Sequence, residues 1–371
     1  MRILHVIHYY HEGFGYQENW LAAHQLKQGH EVCVVTSDYY FPFPDYEATM
    51  APTLGSRYVG TGVFSDGEIP VIRKRSKSAK LGPPGLLWFP LLDELESFRP
   101  DIIHLHGATS PLFFSLLRHR KRLNYEVFVD SHQDPKVEGR SESLVYRTYY
   151  ALWRFMLHTR GLKDQVAHFL PITRAAQTWL ADKLHLNEDI MTISPLGVDL
   201  DSMQLHEEER RKFRHTHGIE DKLVIINAGK QYPEKRIEWI IEVVSQAAAK
   251  GAQVCLILVG AAEERYDAVI TSALSNLNAK TIRFPFLDRA ELRKVYAGAD
   301  VGIWPGIPSN TIQEAMSCGC AVILPDDDIV GHLVEGNGLK TATDTKAAAT
   351  YLHSLSLDPE KLSEAQAVSI N

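Results

Sequence analysis

The feature that most limits the fold of this chain is an alternation of short apolar segments with longer helical patterns. The segment "RILHVIHYY" (residues 2–10) is expected to form a buried strand, and the helical pattern after it ends near Gly29. Further strands are expected over residues 31–36, in "DIIHLHG" (101–107) and in "YEVFVDSH" (125–132). Strands that alternate with helices form parallel sheets covered on both faces. The first half of the chain is therefore predicted to be an α/β domain.

The same alternation starts again in the second half of the chain, after a link that contains Pro195 and Gly197. Two similar nucleotide-binding-type domains are therefore predicted, over residues 1–193 and 194–371. In such sheets ligands bind beyond the carboxyl ends of the strands, so the functional residues are expected in the loops that follow them. The strands of the second series are expected at "KLVIINAG" (222–229), "QVCLILVG" (253–260), "TIRFPF" (281–286), "VGIWP" (301–305) and "AVIL" (321–324).

Composition excludes several classes of protein. The chain has 39 Lys and Arg against 46 Asp and Glu, a formal net charge of −7, which argues against a nucleic-acid partner. Its four cysteines show no spacing typical of a disulfide framework or a zinc site, and this favours a reduced, cytoplasmic setting. No stretch reaches the ~18 apolar residues that a membrane-spanning helix needs. The segment between Tyr39 and Pro90 is rich in Gly, Pro and Ser and is predicted to form long loops or a small hairpin.

Six motifs carry a resemblance that covers nearly the whole chain. The motifs are "KQGHEVCVVTS", "DIIHLHG", "SPLGVDLD", "NAGKQYPEKRIEWII", "YAGADVGIWP" and "NTIQEAMSCGCAVIL". In their order and spacing they resemble glycosyltransferase family 4, which has the GT-B fold: two Rossmann-like α/β domains with parallel sheets that face each other across a central cleft. The resemblance implies an N-terminal acceptor-binding domain and a C-terminal domain that binds a nucleotide diphosphate sugar.

The resemblance also implies an activity. Family 4 enzymes transfer a hexosyl or related sugar, with retention at the anomeric carbon, from the nucleotide sugar to an acceptor hydroxyl. The acceptor is expected to be a glycan, a lipid-linked molecule or a small molecule, in bacterial surface-glycan or glycoconjugate synthesis. No metal and no cofactor are expected. Asp199 and Asp201 imitate the metal-binding DxD of another transferase fold, but they lie in the link between the domains. Family members commonly finish with a helix that packs back on the N-terminal domain, and "EKLSEAQAVSIN" is a short candidate for it.

Most of the residues that the resemblance assigns to the donor lie in the second domain. Lys230 and Lys235 match an Arg and Lys pair that neutralises the leaving diphosphate, and lysine lacks the planar two-point contact of arginine. Glu314 matches the carboxylate that accepts the ribose hydroxyls. Gly306 stands where the family has a first glutamate, so it is expected to admit a differently shaped sugar or to leave the sugar's contacts to backbone and water. The other donor-side residues are Gly15, Gly229, Pro285, Phe286, Leu287, Ser309, Asn310, Thr311 and Ile312, with the amides of residues 309–311 expected to face the diphosphate.

In the first domain, His106 matches the family histidine beside the transferred sugar. With Lys230 and Lys235 it completes the predicted catalytic group. His104 is expected to project to the opposite face of the strand and to be structural. The acceptor-side candidates are Gly13, Phe14, His132 and Asp134, with Asp130 beside them.

A membrane hypothesis comes from aromatic and basic segments. Residues 144–163 are predicted to form a helix that mixes aromatic, leucine and arginine side chains. With the basic cluster Arg73–Lys80 and the segment "GLLWFPLL", this helix suggests peripheral contact at the inner face of a membrane or with a lipid-linked acceptor.

Other functions fit parts of the pattern. A nucleotide-sugar epimerase has the same two-domain shape, and a nucleotide-binding module without catalysis would explain Gly306 and Lys230. The pair Gly13 and Gly15 also fits a dehydrogenase loop, with Asp38 after the second strand, but the third glycine of that motif is missing.

Overall fold

The computed structural model describes residues 1–43, 46–78, 86–133, 143–203, 207–341 and 343–370. The chain divides into two compact units, Met1–Leu196 and Gly197–Asn371. The division lies in the Pro195–Gly197 link that the composition singles out.

The first unit contains a seven-stranded sheet in the order β3-β4-β2-β1-β7-β8-β9. All neighbours in it are parallel except β3 and β4, which form an antiparallel hairpin at one edge. The segment between Tyr39 and Pro90 thus contributes two strands to the main sheet. The strands of this unit are β1 Arg2–Val6, β2 Glu31–Ser37, β3 Gly62–Asp66, β4 Ile69–Lys74, β5 Lys77–Ser78, β6 Leu87–Trp88, β7 Ile102–His106, β8 Glu126–Ser131 and β9 His168–Pro171.

The helices of the first unit cover this sheet. Helix α5 buries Leu112, Phe113, Leu116 and Leu117, which recur at helical spacing and pack in the core with the apolar strands. The helices are α1 Gln17–Lys27, α2 Tyr46–Thr49, α3 Ala51–Leu54, α4 Leu92–Phe98, α5 Leu112–Leu123, α6 Leu144–Thr159 and α7 Arg174–Leu184.

The second unit contains a six-stranded, fully parallel sheet in the order β12-β11-β10-β13-β14-β15. Counted from its first strand this is the order 3-2-1-4-5-6, in which the chain reverses direction between β10 and β13. Doubly wound sheets bind ligands at this point, beyond the carboxyl ends of the two strands. The strands are β10 Leu223–Ala228, β11 Val254–Val259, β12 Lys280–Phe284, β13 Val301–Ile303, β14 Ala321–Leu324 and β15 Gly338–Lys340.

The helices of the second unit lie against this sheet, and α10 is the most buried of the long ones, with seven buried residues. The last helix packs on the core of its own unit through Leu362 and Ala365. The helices are α8 Leu200–Met203, α9 Glu207–His217, α10 Ile237–Ala249, α11 Glu264–Ser275, α12 Arg289–Gly298, α13 Thr311–Ser317, α14 Thr345–Leu357 and α15 Pro359–Ile370.

Candidate functional site

The loops after β10 and β13 of the second unit are joined by Lys235. This residue ends a short 3-10 turn, Pro233–Lys235, and its side chain is buried. Its Nζ donates to the carbonyl oxygens of Ile307 at 2.8 Å and Pro308 at 2.9 Å. The ammonium therefore crosslinks the two segments at which the sheet reverses direction.

Gly306 lies where the same two loops approach most closely. A Cβ added at Gly306 would lie 2.0 Å from the carbonyl oxygen of Glu234. The next amide, Ile307 N, donates to that carbonyl at 3.1 Å. The backbone of Glu234 fills the position of a side chain at 306, so the missing family glutamate leaves no open space at its Cβ. At its Cβ position, therefore, Gly306 leaves no room to admit a differently shaped sugar.

The residues around Gly229 form the floor of this loop pair. Gly229 has φ of +130°, and Thr311 Oγ1 donates to the carbonyl of Ala228 at 2.8 Å. A Cβ at Gly229 would lie 3.3 Å from Ser309 Oγ, so these segments are in contact. Asn310 precedes α13 and makes no side-chain cap, and Ile312 is fully buried. Helix α13 is only seven residues long, so we base no argument on its N-terminal amides.

Glu314 lies in the first turn of α13 and is 9% exposed. Its Oε1 is 3.7 Å from Nε of Arg289, the first residue of α12. Burial raises the pKa of Glu314 to about 7, and the charge of Arg289 and the nearby Tyr296 hydroxyl limit that rise. Glu314 is the residue predicted to bind the ribose. Near neutral pH its side chain exchanges between the carboxylate, which only accepts hydrogen bonds, and the protonated acid.

Lys230 and Lys235 are the two cations predicted to bind the diphosphate, and both follow β10. Burial lowers the pKa of Lys230 to about 8, and burial together with the charge of Lys230 lowers the pKa of Lys235 to about 8. Both remain mainly protonated at pH 7, so the buried Lys235 and the partly buried Lys230 are two like charges that a bound anion would stabilise. The residues Pro285, Phe286 and Leu287 follow the edge strand β12, and Phe286 is 41% exposed. Their loop leads directly into Arg289.

In the first unit the carboxyl ends of β1, β7 and β8 bring together His5, His104, His106 and Asp130. The rings of His104 and His106 stack with centroids 4.4 Å apart, so the two side chains lie on the same face of the sheet. The prediction that they project to opposite faces was wrong, because residues two apart in a strand share a face. His106 Nδ1 is 2.5 Å from Asp130 Oδ2, and His106 Nε2 is 3.0 Å from His5 Nδ1.

Asp130 is the charge at the centre of this histidine cluster. It is 1% exposed, accepts from the amide of Gly107 at 3.0 Å and lies 3.1 Å from His104 Nε2. Burial alone would raise the pKa of Asp130, but the neighbouring His106 and His132 hold it well below its ordinary value. Both ring nitrogens of His106 thus lie against neighbouring residues of the cluster, Asp130 and His5.

His132 differs from the rest of the cluster in its exposure. Its side chain is 40% exposed, and its Nε2 lies 3.5 Å from Asp130 Oδ2. Burial would lower its pKa, but the Asp130 carboxylate raises it above the ordinary value. Asp134, the other predicted acceptor-side residue, lies outside the described residues. Among the described residues, two overlapping groups bring ligand atoms within 4.8 Å of one another and could hold a metal ion: His5 with His104 and His106, and His106 with Asp130 and His132.

The loop after β1 carries the predicted Gly13, Phe14 and Gly15. Both glycines have positive φ, +75° and +65°, and Phe14 contacts the ring of His11 with a centroid distance of 5.4 Å. Sequence reasoning missed Glu18 in the first turn of the following helix, because an acidic residue there is ordinarily a solvated favourable charge. Glu18 is 8% exposed, and burial raises its pKa to about 7.

The basic cluster that begins at Arg73 is only partly exposed where the structure describes it. Arg73 is buried and pairs with Glu12 at 2.5 Å, between the rings of Tyr40 and Phe64. Lys74 pairs with Glu94, whereas Arg75 and Lys77 are exposed. The first two charges therefore join strand β4 to the loop after β1 and to helix α4.

Comparison with known proteins agrees with this geometry. The family model described as Glycosyltransferase Family 4 matches residues 21–202, and the model described as Glycosyl transferases group 1 matches residues 222–358. The chain belongs to glycosyltransferase family 4. The two matches lie one in each compact unit for almost their whole lengths, and the predicted family is confirmed.

A curated relative of this family 4 glycosyltransferase is a GDP-mannose-dependent alpha-mannosyltransferase of Mycobacterium tuberculosis (strain CDC 1551 / Oshkosh). The two are 26% identical over 249 residues, or 66% of this chain. The matched region spans 60% of the length of that relative.

Solved structures of similar fold include Anabaena HepE in complex with UDP and glucose, with a TM-score of 0.67 and 16% identity, over 100% of this chain and 95% of that one. Sucrose-phosphate synthase from Thermosynechococcus elongatus has a TM-score of 0.68 and 16% identity, over 100% of this chain and 93% of that one. These likenesses show the fold, and the predicted α/β GT-B class with parallel sheets is confirmed.

Proposed function

We propose that this family 4 glycosyltransferase moves a sugar from a nucleotide diphosphate sugar to an acceptor hydroxyl, with retention at the anomeric carbon. One observation carries the proposal: Lys235 crosslinks the loops at the sheet reversal of the second unit, and Lys230 and Glu314 belong to the segments that start there. A cation pair suits two phosphates, and a buried carboxylate suits the two hydroxyls of a ribose.

The chemistry we propose for these residues is electrostatic. As the bond from the anomeric carbon to the diphosphate breaks, negative charge grows on the diphosphate, and Lys230 and Lys235 stabilise it there. The acceptor proton passes to the departing phosphate on the same face of the sugar, so no protein nucleophile is assigned. His106 is also proposed to be a hydrogen-bond partner of a sugar hydroxyl.

The donor is the first part of the proposal to test. The mannosyltransferase relative is GDP-mannose-dependent and the HepE structure contains UDP and glucose, so the test includes several nucleotides and their sugar conjugates. We expect one of UDP, GDP or ADP, and its sugar conjugate, to raise the melting temperature, because a ligand that binds only the folded state stabilises it by about 2.7 kcal/mol at 100 times its Kd. A thermal-shift panel measures this. No shift with any nucleotide would contradict the proposal.

Incubation of the donor alone and then with acceptors, followed by analysis of the products, separates the rival functions. Conversion of the donor to a new sugar nucleotide without acceptor would favour a nucleotide-sugar epimerase. Binding of the donor with no transfer to any acceptor would favour a nucleotide-binding module.

We further propose that the acceptor is a glycan or a lipid-linked molecule of bacterial surface-glycan synthesis, reached at the inner face of a membrane. The support is helix α6, which buries Tyr150, Trp153 and Leu157 on one side. Its other side leaves Leu144, Val145, Leu152 and Phe155 exposed by 79%, 61%, 49% and 57%. The exposed Arg147 and Arg160 lie on the same helix or at its end, as expected for contact with anionic lipid. Among the described residues no helix combines the length and apolarity that a membrane crossing requires.

This membrane contact predicts a simple binding result. The wild-type protein should float with vesicles that contain anionic lipid at low salt, and the double change Leu152→Ser with Phe155→Ser should lower the bound fraction several-fold, because it removes buried apolar area at the bilayer surface. Val269→Ser is the matched control, since Val269 is also a helical apolar residue, 48% exposed, but lies in the second unit. Equal flotation of the double variant and the wild type would contradict the role of α6.

A further inference from the structure

Arg289 is the charged residue nearest to Glu314. It is the first residue of α12, and its side chain is 17% exposed. Its Nε lies 3.7 Å from Glu314 Oε1, a contact between a guanidinium and a carboxylate that are both largely removed from water. An opposite charge at this distance favours the ionised form of a buried carboxylate.

Three other groups act electrostatically on Glu314 or on Arg289: Tyr296, Asp199 and Cys318. Tyr296, fully buried on the same helix as Arg289, acts on Glu314 in the same direction as Arg289 and favours its ionised form. Asp199, 5% exposed, acts on Arg289 as a second negative charge, and Cys318 lies within electrostatic range of both Arg289 and Glu314. Arg289 is thus the one positive charge that acts on Glu314 among the groups that shift it.

A ribose recognised through its hydroxyls needs an acceptor-only carboxylate. Two hydroxyl donors can each give a hydrogen bond to an ionised glutamate, whereas a protonated glutamate presents a donor of its own. The burial of Glu314 works against the ionised form, and Arg289 works for it. Nothing in the local sequence around Glu314 shows this, because Arg289 is on another helix.

We propose that Arg289 is a positioning residue that keeps Glu314 in the anionic form that accepts the ribose hydroxyls of the nucleotide. The inference rests on the proposed function, since it assumes that a nucleotide occupies this site. It adds that nucleotide affinity in this protein is set by a helix-to-helix ion pair and is lost as Glu314 takes up a proton.

The sign of the pH effect follows from the charges. Nucleotide affinity should fall as the pH drops through the pKa of Glu314, about 7 in the unliganded protein. Without the positive charge of residue 289 that pKa rises, so the affinity is lost at a higher pH. Lys230 and Lys235 lose their protons above a pKa of about 8 and weaken phosphate binding there in wild type and variant alike.

Isothermal titration calorimetry with UDP and with GDP, from pH 6 to 8, tests the inference. The ratio of the variant Kd to the wild-type Kd at each pH cancels the titration of the nucleotide and of the lysines. For Arg289→Gln, a rise of about one pH unit in the carboxyl pKa makes this ratio about twofold at pH 8 and about tenfold at pH 6. Arg289→Lys keeps the charge and should give a ratio near one throughout.

Arg293→Gln is the matched control, because Arg293 is on the same helix but pairs with Glu209 at 2.6 and 2.8 Å. Its ratio should not change with pH. Should Arg289→Gln fail to fold, Tyr296→Phe is the second test, because it removes the other group that favours the anion. The ratio of its Kd to the wild-type Kd should also rise toward low pH.

A ratio for Arg289→Gln that is the same at every pH would overturn the inference and leave the proposed function standing. Absence of UDP and GDP binding to the wild-type protein, together with a negative thermal-shift panel, would contradict both.

Discussion

Replacing Lys235 by alanine is expected to lower the rate of sugar transfer about 100-fold or more, the usual loss when one charge that stabilises the transition state is removed. Two effects add here. The growing negative charge of the diphosphate loses a buried cation, and the carbonyls of Ile307 and Pro308 lose the ammonium that holds their loop. Single-turnover kinetics with the donor found in the thermal-shift panel measures the change.

Two further variants complete this test: a charge control at an exposed lysine, and a variant that keeps the charge at position 235 but changes its shape. Lys250→Ala makes the same change of charge at an exposed position at the end of α10, and transfer should stay near the wild-type rate. Lys235→Arg keeps the charge, but its planar guanidinium must fit a place where one ammonium donates to two carbonyls. It should therefore recover only part of the activity. Near-normal turnover in Lys235→Ala would contradict the role proposed for this residue.

Gly306→Ala is expected to destabilise the second unit by about 1–3 kcal/mol, the range for forcing atoms into a packed interior. The new Cβ would be 2.0 Å from the Glu234 carbonyl oxygen, which belongs to backbone and cannot rotate away. The loop that carries Lys235 must shift, so nucleotide affinity should fall with stability. Gly306→Glu, which restores the usual family residue, should therefore impair the protein and not improve it.

Urea unfolding and calorimetric nucleotide binding measure both effects. Gly197→Ala is the control in the same unit, because a Cβ there meets no atom within 4 Å. A stable Gly306→Glu variant with improved transfer would show that the two loops are not in contact during the reaction.

Much of the fold could be predicted from local patterns. The expected strands over 31–36, 101–107 and 222–229 appear as β2 Glu31–Ser37, β7 Ile102–His106 and β10 Leu223–Ala228. Each is an apolar run of strand length, the pattern of a strand that is buried on both faces. Strands β9 and β15 were missed. They are four and three residues long, and runs this short do not stand out from a loop.

The candidate site was predicted only in part. Motifs singled out Lys230, Lys235 and Glu314 as candidates, but a motif does not show which atoms a side chain contacts. Gly306 was interpreted as a lost ligand, and the structure shows a close approach of two backbones that a side chain would prevent. His104 and His106 were assigned to opposite faces by an error of strand periodicity, and Glu18 was not considered.

By itself, then, the sequence determined two α/β units built mainly on parallel strands and the loops that carry the candidate residues, because apolar periodicity is a property of neighbouring residues. Only the tertiary structure decided that Lys235 reaches the carbonyls of Ile307 and Pro308 and that Arg289 lies beside Glu314. These contacts join segments that are far apart in the chain. They depend on the strand order that places β10 beside β13, and strand order is a property of the whole sheet that no local pattern contains.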